Sequence, residues 1–210
     1  MRHIFTILLL AFLTIDANAS SYQVEIIVFE NLHQNSDEEI SRTGLKLPDF
    51  TDSIILDESD TADISAFKLL PAGLYKLGGV YNELKYSKNY RPLLHMAWEQ
   101  PALNQGRARS VRIRDIDNID QTDNNDPMIK LDGVIRIRST QFLHADVDLF
   151  YFINSLPESV IQADSGNNTA ATIQTGFAEL KETRKMKLNE LHYFDNPVFG
   201  LLLWVSRFND

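Results

Sequence analysis

Near the C-terminus, six consecutive residues, Glu190-Leu191-His192-Tyr193-Phe194-Asp195, hold two carboxylates, an imidazole and a phenol. Groups of this kind either contact a ligand or hydrogen-bond one another into a corner that sets strand register. The residues alone leave both alternatives open. Asp195-Asn196-Pro197 closes the block as a turn, with Asp accepting from backbone donors and Pro setting the next dihedral. Glu190, His192 and Tyr193 then cap or orient that turn. A second set, His144, Asp146 and Asp148, recurs along one face of a strand at intervals of roughly 7 Å. A tetrahedral metal with ligands at about 2 Å takes two neighbours of such a row at most. A third ligand has to come from elsewhere, such as His192, so no metal site and no cofactor is expected. Two carboxylates near that separation also suit a glycosidase pair. The adjacent arginines, however, favour the ionised forms, whereas a general acid needs its pKa raised. A third set is basic: Arg107, Arg109, Arg112 and Arg114 fall within eight residues. It reads first as a solvated edge strand guarded against pairing, and second as a bidentate site for carboxylates.

The elements that position these groups follow from hydrophobic patterning. The near-continuous apolar run from Val198 to Val205 reads as a central strand covered on both faces. Six such residues contribute something like 10 kcal/mol of transfer free energy at roughly 1.5–3 each. Tyr22 to Phe29 reads as a second central strand, with Glu25 facing solvent. Pro71-Ala72-Gly73 opens a helix whose apolar stripe is Leu74, Leu77, Tyr81 and Leu84. Gly78-Gly79 falls in its middle, at about 1 kcal/mol each against Ala, and close approach to a sheet is the expected reason. Tyr90 to Gln100 is a strand with Leu94, Met96 and Trp98 on one face. His95 lies on the other, as a satisfied, partly buried histidine. Lys130 to Arg138 and Gln141 to Phe152 form a hairpin. Matching its polar faces pairs odd residues with odd, which requires a loop of odd length such as Ser139-Thr140-Gln141. Arg136 then sits across from His144 or Asp146. Phe177 to Leu188 reads as an exposed strand leading into the signature block. Residues 31–70, 115–128 and 154–175 read as long polar loops, with a docked edge near Ile54. The aspartates after Asp115 lack the central Gly and closing Glu of a calcium loop.

The class implied is α+β, a mostly antiparallel sheet with one main helix packed on a face. A ferredoxin-like β-α-β-β core plus a long hairpin is the expected topology. Arg2, the apolar Ile4–Ile15 run and Ala17-Asn18-Ala19 form an export signal over residues 1–19, cleaved near Ala19-Ser20. That run is too short to span a bilayer, which takes roughly 20 residues. Residues 20–210 are expected to be a single domain with no membrane span. The chain has no cysteine, which rules out a lipid-bearing Cys, a disulfide framework and thiolate metal sites. A formal net charge of −9 argues against nucleic acid or anionic lipid as a bulk electrostatic partner.

The block from Glu190 to Leu203 resembles the C-terminal signature of the CsiV family of periplasmic peptidoglycan-binding proteins, close to E-L-H-Y-x-D-H-P-x-F-G followed by an apolar strand. Asn196 stands where that pattern has His. Three further stretches fit in the same order: Tyr22–Glu30, Tyr90–Pro101 and Phe142–Leu149. The resemblance implies a non-enzymatic periplasmic protein that binds peptidoglycan. It also implies regulation of wall synthesis, through contact with the outer-membrane lipoprotein activator of a class A penicillin-binding protein. The ligand-binding candidates are Trp98, Arg112, Arg114, His144, Asp148, Glu190, His192, Tyr193 and Asp195. Aromatics such as Trp98 or Tyr193 would stack on sugar faces and arginines would take stem-peptide carboxylates. The alternatives are a wall hydrolase using Asp146, Asp148 or Glu190, and a scaffold that binds only protein partners.

Overall fold

A computed structural model describes residues 21–32, 40–41, 44–56, 66–117, 128–159 and 176–208. The expected export signal over residues 1–19 lies outside the described residues, as do the middle of the 115–128 connection and most of 154–175. The described strands are β1 (Ser21–Asn31), β2 (Lys68–Leu69), β3 (Tyr90–Pro101), β4 (Val111–Asp117), β5 (Met128–Ser139), β6 (Leu143–Pro157), β7 (Phe177–Met186), β8 (Leu191–Asp195) and β9 (Phe199–Arg207). The helix α1 (Gly78–Tyr86) precedes β3.

The strands form two antiparallel sheets, a first of order β2-β3-β1-β9-β8 and a second of order β4-β5-β6-β7. The two sheets share one apolar core, because strand alternation points every second side chain of each toward the other. Val24, Ile26, Trp98, Leu201 and Leu203 of the first meet Ile113, Leu131, Ile135, Val147 and Leu149 of the second. Gln100 Nε2 donates to the Ile137 carbonyl and the Tyr22 hydroxyl donates to Ser139, tying the sheets at their edges. The expected central strands are β1 and β9, adjacent in the middle of the first sheet. The core-facing side of β9 is sealed, whereas Leu202 and Trp204, on the other side, are half-buried.

The mostly antiparallel pattern and the helix agree with the α+β class, but the ferredoxin-like core does not appear. A βαβ crossover would set the strands flanking α1 parallel, whereas β1 and β3 pair antiparallel along their length. The hairpin follows the parity argument, with Arg136 opposite Asp146 and Arg138 opposite His144. Its loop is Thr140 to Phe142, one residue later than expected and still odd in length. The polar 154–175 segment begins as strand, since β6 runs to Pro157. Ile54 docks as expected, through a parallel bridge to Val111.

The helix starts later than its apolar stripe suggested. Ala72–Leu74 form a 3-10 turn, the chain opens at Tyr75 to Leu77, and α1 begins at Gly78. Glu25 accounts for the break. Its side chain, expected in solvent, is fully buried and accepts from the backbone N–H groups of Lys76 and Leu77 at 2.7 and 2.8 Å. Those are donors a helix entry leaves without partners. His95 Nε2 lies 2.8 Å from the same carboxylate, and the His95 ring sits between Tyr75 and Tyr81. Leu74 is exposed. The Gly78-Gly79 pair opens the helix with nothing within 4 Å of either missing Cβ, so close approach does not explain it. The structure offers no other reason for the pair.

Candidate functional site

The outward face of the first sheet is covered at its β3 end by α1 and is more open at its β8–β9 end. The open end is built around Gly200. A Cβ there would lie 2.6 Å from the Phe29 ring and 2.8 Å from the Tyr193 ring. Glycine therefore lets both rings settle onto the backbone of β9. The Phe29 and Tyr193 rings are nearly parallel, 19° apart with centroids at 6.0 Å, and Tyr90 meets Phe29 edge-on at 5.2 Å. Phe29 is buried, while Tyr193 is 44 % exposed. Its hydroxyl donates to Asp195 Oδ1. Burial and the Asp195 carboxylate push the phenol well above its ordinary pKa, so it stays a neutral donor. Exposed Leu191 pairs with half-buried Trp204, and Tyr193 pairs with Leu202. Together they make an aromatic and aliphatic floor with a carboxylate at its rim.

The signature block is thus a corner and a surface at once. Asn196, not Asp195, makes the turn: its Oδ1 accepts from Val198 N at 2.9 Å and its Nδ2 donates to the Glu179 carbonyl at 3.0 Å. The Asn196 amide thus both donates and accepts at this turn. Arg184 of β7 donates to the Tyr193 carbonyl at 2.6 Å and lies over the Phe194 ring. His192 Nε2 accepts from Lys187 N at 3.3 Å. Glu190 is exposed and pairs with Lys187.

The remaining candidates go elsewhere. Trp98 is fully buried in the core, with its indole N–H on Gln100; it cannot stack on a sugar. Arg112 makes the bidentate carboxylate contact expected of it, but with Asp132 of the neighbouring strand, at 3.0 and 2.7 Å. Arg114 lies near Asp132 and pairs with Glu158. Neither arginine is a solvated edge residue, because a buried carboxylate on β5 draws both inward. His144, Asp146 and Asp148 do share one face of β6, the outward face of the second sheet. His144 Nδ1 lies 3.1 Å from the Phe142 carbonyl. Burial raises the Asp146 carboxyl, but hydrogen bonds from Arg138, Thr183 and Arg136 outweigh it and hold the group below the ordinary Asp value. Asp148 binds Lys181 at 2.6 Å. Glu190, on the β7–β8 turn, is not among the residues lining the cleft that holds Asp146 and Asp148. Among the described residues no group of three or more His, Cys, Asp or Glu is placed to hold a metal. No described helix is long and apolar enough to cross a membrane.

Three features were not legible from residue types. Trp204 and Leu202 border the open floor, although the apolar run gave no sign of which face was covered. Gly200 is the residue on which the floor depends; its place between two large apolar side chains was the available signal. Asn196 was visible as a turn residue, but its role was assigned to its neighbour.

The open end of the first sheet is thus an aromatic floor with a fixed carboxylate at its rim. The chain matches the family model described as peptidoglycan-binding protein, CsiV, over residues 3–208. It belongs to that family. No curated protein and no solved structure matches it.

Proposed function

We propose that this protein is exported to the periplasm, where residues 20–210, as a single domain, bind peptidoglycan without cutting it. The observation that carries the binding mode is the Tyr193 ring. It lies flat over Gly200 and is almost half exposed, with its hydroxyl held by Asp195. An aromatic face beside a carboxylate suits a sugar ring, whose C–H face packs on the π system while its hydroxyls donate to the acid. The overall charge of −9 repels a polyanionic wall, so recognition falls to local contacts of this kind. The non-enzymatic reading is supported by the arginine partners of Asp146, which favour its ionised form rather than a general acid. Regulation of wall synthesis, through contact with the lipoprotein activator of a class A penicillin-binding protein, is supported by the family resemblance of the Glu190–Leu203 block.

Sedimentation with purified sacculi tests the function. The mature protein is expected in the pellet, with no muropeptides released into the supernatant. Protein left wholly in the supernatant would remove peptidoglycan binding, and muropeptide release abolished by Asp148→Ala would make it a hydrolase. Capture of the purified activator in solution tests the regulatory contact separately.

A further inference from the structure

The outward face of the second sheet carries a groove that the aromatic floor does not use. Ser41 bridges Phe177 of β7 and Ile54 bridges Val111 of β4. Leu45 and Leu47 pack against Phe150, Phe152 and Phe177. The 44–56 segment therefore lies across this face as a strap. Beside it run two adjoining clefts of about 380 and 340 Å³, which share Asp49, Ser110 and Arg136 as lining. Each is within the size range of small-ligand sites.

Charge reverses along this groove. The first cleft is lined by Asp49, Asp146, Asp148 and Glu182 against Arg136 and Lys181. The second is lined by Arg107, Arg109 and Arg136 against Asp49 and Asp52. Each end also holds uncommitted bonding capacity. At the acidic end, Asp148 Oδ1 is buried without a hydrogen-bond partner. Its other oxygen is held by Lys181, whose side chain is 66 % exposed and reaches in from solvent. At the basic end, Arg107 is exposed and its guanidinium has no partner among the described residues. Arg109 is oriented by the Asp52 carbonyl through Nε and Nη2, leaving its other nitrogen to donate.

We infer that this groove binds the uncross-linked stem peptide of peptidoglycan. The free ammonium of its diamino acid displaces Lys181 from Asp148, and the peptide carboxylate lies against Arg107 and Arg109. The inference rests on the peptidoglycan-binding reading but on a different face of the molecule. A groove acidic at one end and basic at the other selects a ligand with both charges and fixes its direction, which a uniformly charged peptide cannot satisfy. Cross-linking consumes that ammonium, so the groove distinguishes unlinked from linked wall.

The test is titration of the mature protein with a synthetic stem tetrapeptide containing diaminopimelate, followed by amide chemical shifts. Shifts are expected at residues 107–110, 146–148 and 181–183. Acetylating the side-chain amine, or amidating the terminal carboxylate, is expected to weaken binding about tenfold each, the scale of one lost charge-assisted contact. Asp148→Asn should abolish the amine preference and Arg107→Ala the carboxylate preference. Asp148→Asn is isosteric and Arg107 is exposed, so neither replacement reaches the apolar core. Equal affinity for the acetylated peptide overturns the inference. So does an absence of peptide binding by a protein that still pellets with sacculi, and that result leaves the aromatic floor standing. A protein that binds the peptide but not sacculi would uphold the groove and overturn binding to the intact wall.

Discussion

On the outward face of the first sheet the Glu25 carboxylate is sealed under the chain entering α1, and aromatic and aliphatic side chains cover the open end. On the outward face of the second, carboxylates and cations sit in rows across β5, β6 and β7: Arg136 and Arg138 on Asp146, Lys181 on Asp148. Both sheets bury apolar residues on their inward faces, so the difference lies in what each does with charge. A lone carboxylate removed from water must have its lone pairs satisfied by fixed donors, and it becomes structural. Charges in rows near solvent stabilise one another more weakly and can exchange partners. Sealed charge therefore serves the fold, and laced charge remains available to a ligand.

The largest expected effect lies in the second sheet, beneath its charged rows. Gly133 has φ +155°, and a Cβ there would come within 2.2 Å of the Asp148 carbonyl oxygen and 2.7 Å of Leu149 Cα. Gly133→Ala is expected to lower stability by about 4 kcal/mol, read from the urea midpoint. A loss under about 1 kcal/mol would show that β5 and β6 do not need this close approach.

Next comes the sealed carboxylate. Glu25→Leu strands two backbone donors and removes the partner of His95, at a cost of about 3 kcal/mol. Thermal unfolding measures it, and a near-neutral change would erase the contrast between the two faces.

The laced rows give a smaller and pH-dependent effect. Asp146→Asn is expected to cost about 1.5 kcal/mol at pH 7. The folded-state pKa of Asp146 lies below its ordinary value of 3.8. The wild type therefore holds its advantage above that value and loses it as pH falls through the lower, folded one. Denaturant titrations of the two proteins should converge once the pH has fallen through the folded-state pKa, on the acid side of 3.8; a gap that persists in strong acid would contradict the ion-pair origin.

Much of the architecture was legible because strand alternation is a strong signal. Leu143, Ala145, Val147 and Leu149 against Asp146 and Asp148 set both the inward face and the parity of the hairpin. Glu25 and Trp98 were misjudged for a common reason. Residue type gives a preference for water or core, whereas tertiary partners decide the outcome: two backbone N–H groups from a distant turn for Glu25, and complete enclosure for Trp98. Arg112 and Arg114 pointed to a carboxylate, as expected of guanidinium forks, but the carboxylate was the internal Asp132. In the Glu190–Asp195 block, the choice between corner and ligand surface could not be made from sequence. Tyr193 takes part in both, through its carbonyl bond to Arg184 and its open ring face.

The account depends most on Tyr193, and its direct test is sedimentation of Tyr193→Ala with sacculi beside the wild type. Loss of one stacking face is expected to lower affinity about tenfold, or roughly 1.4 kcal/mol, with the thermal midpoint nearly unchanged because the ring is half exposed. Tyr193→Ala pelleting as completely as the wild type at limiting sacculus concentration would contradict the aromatic floor as the wall-binding surface.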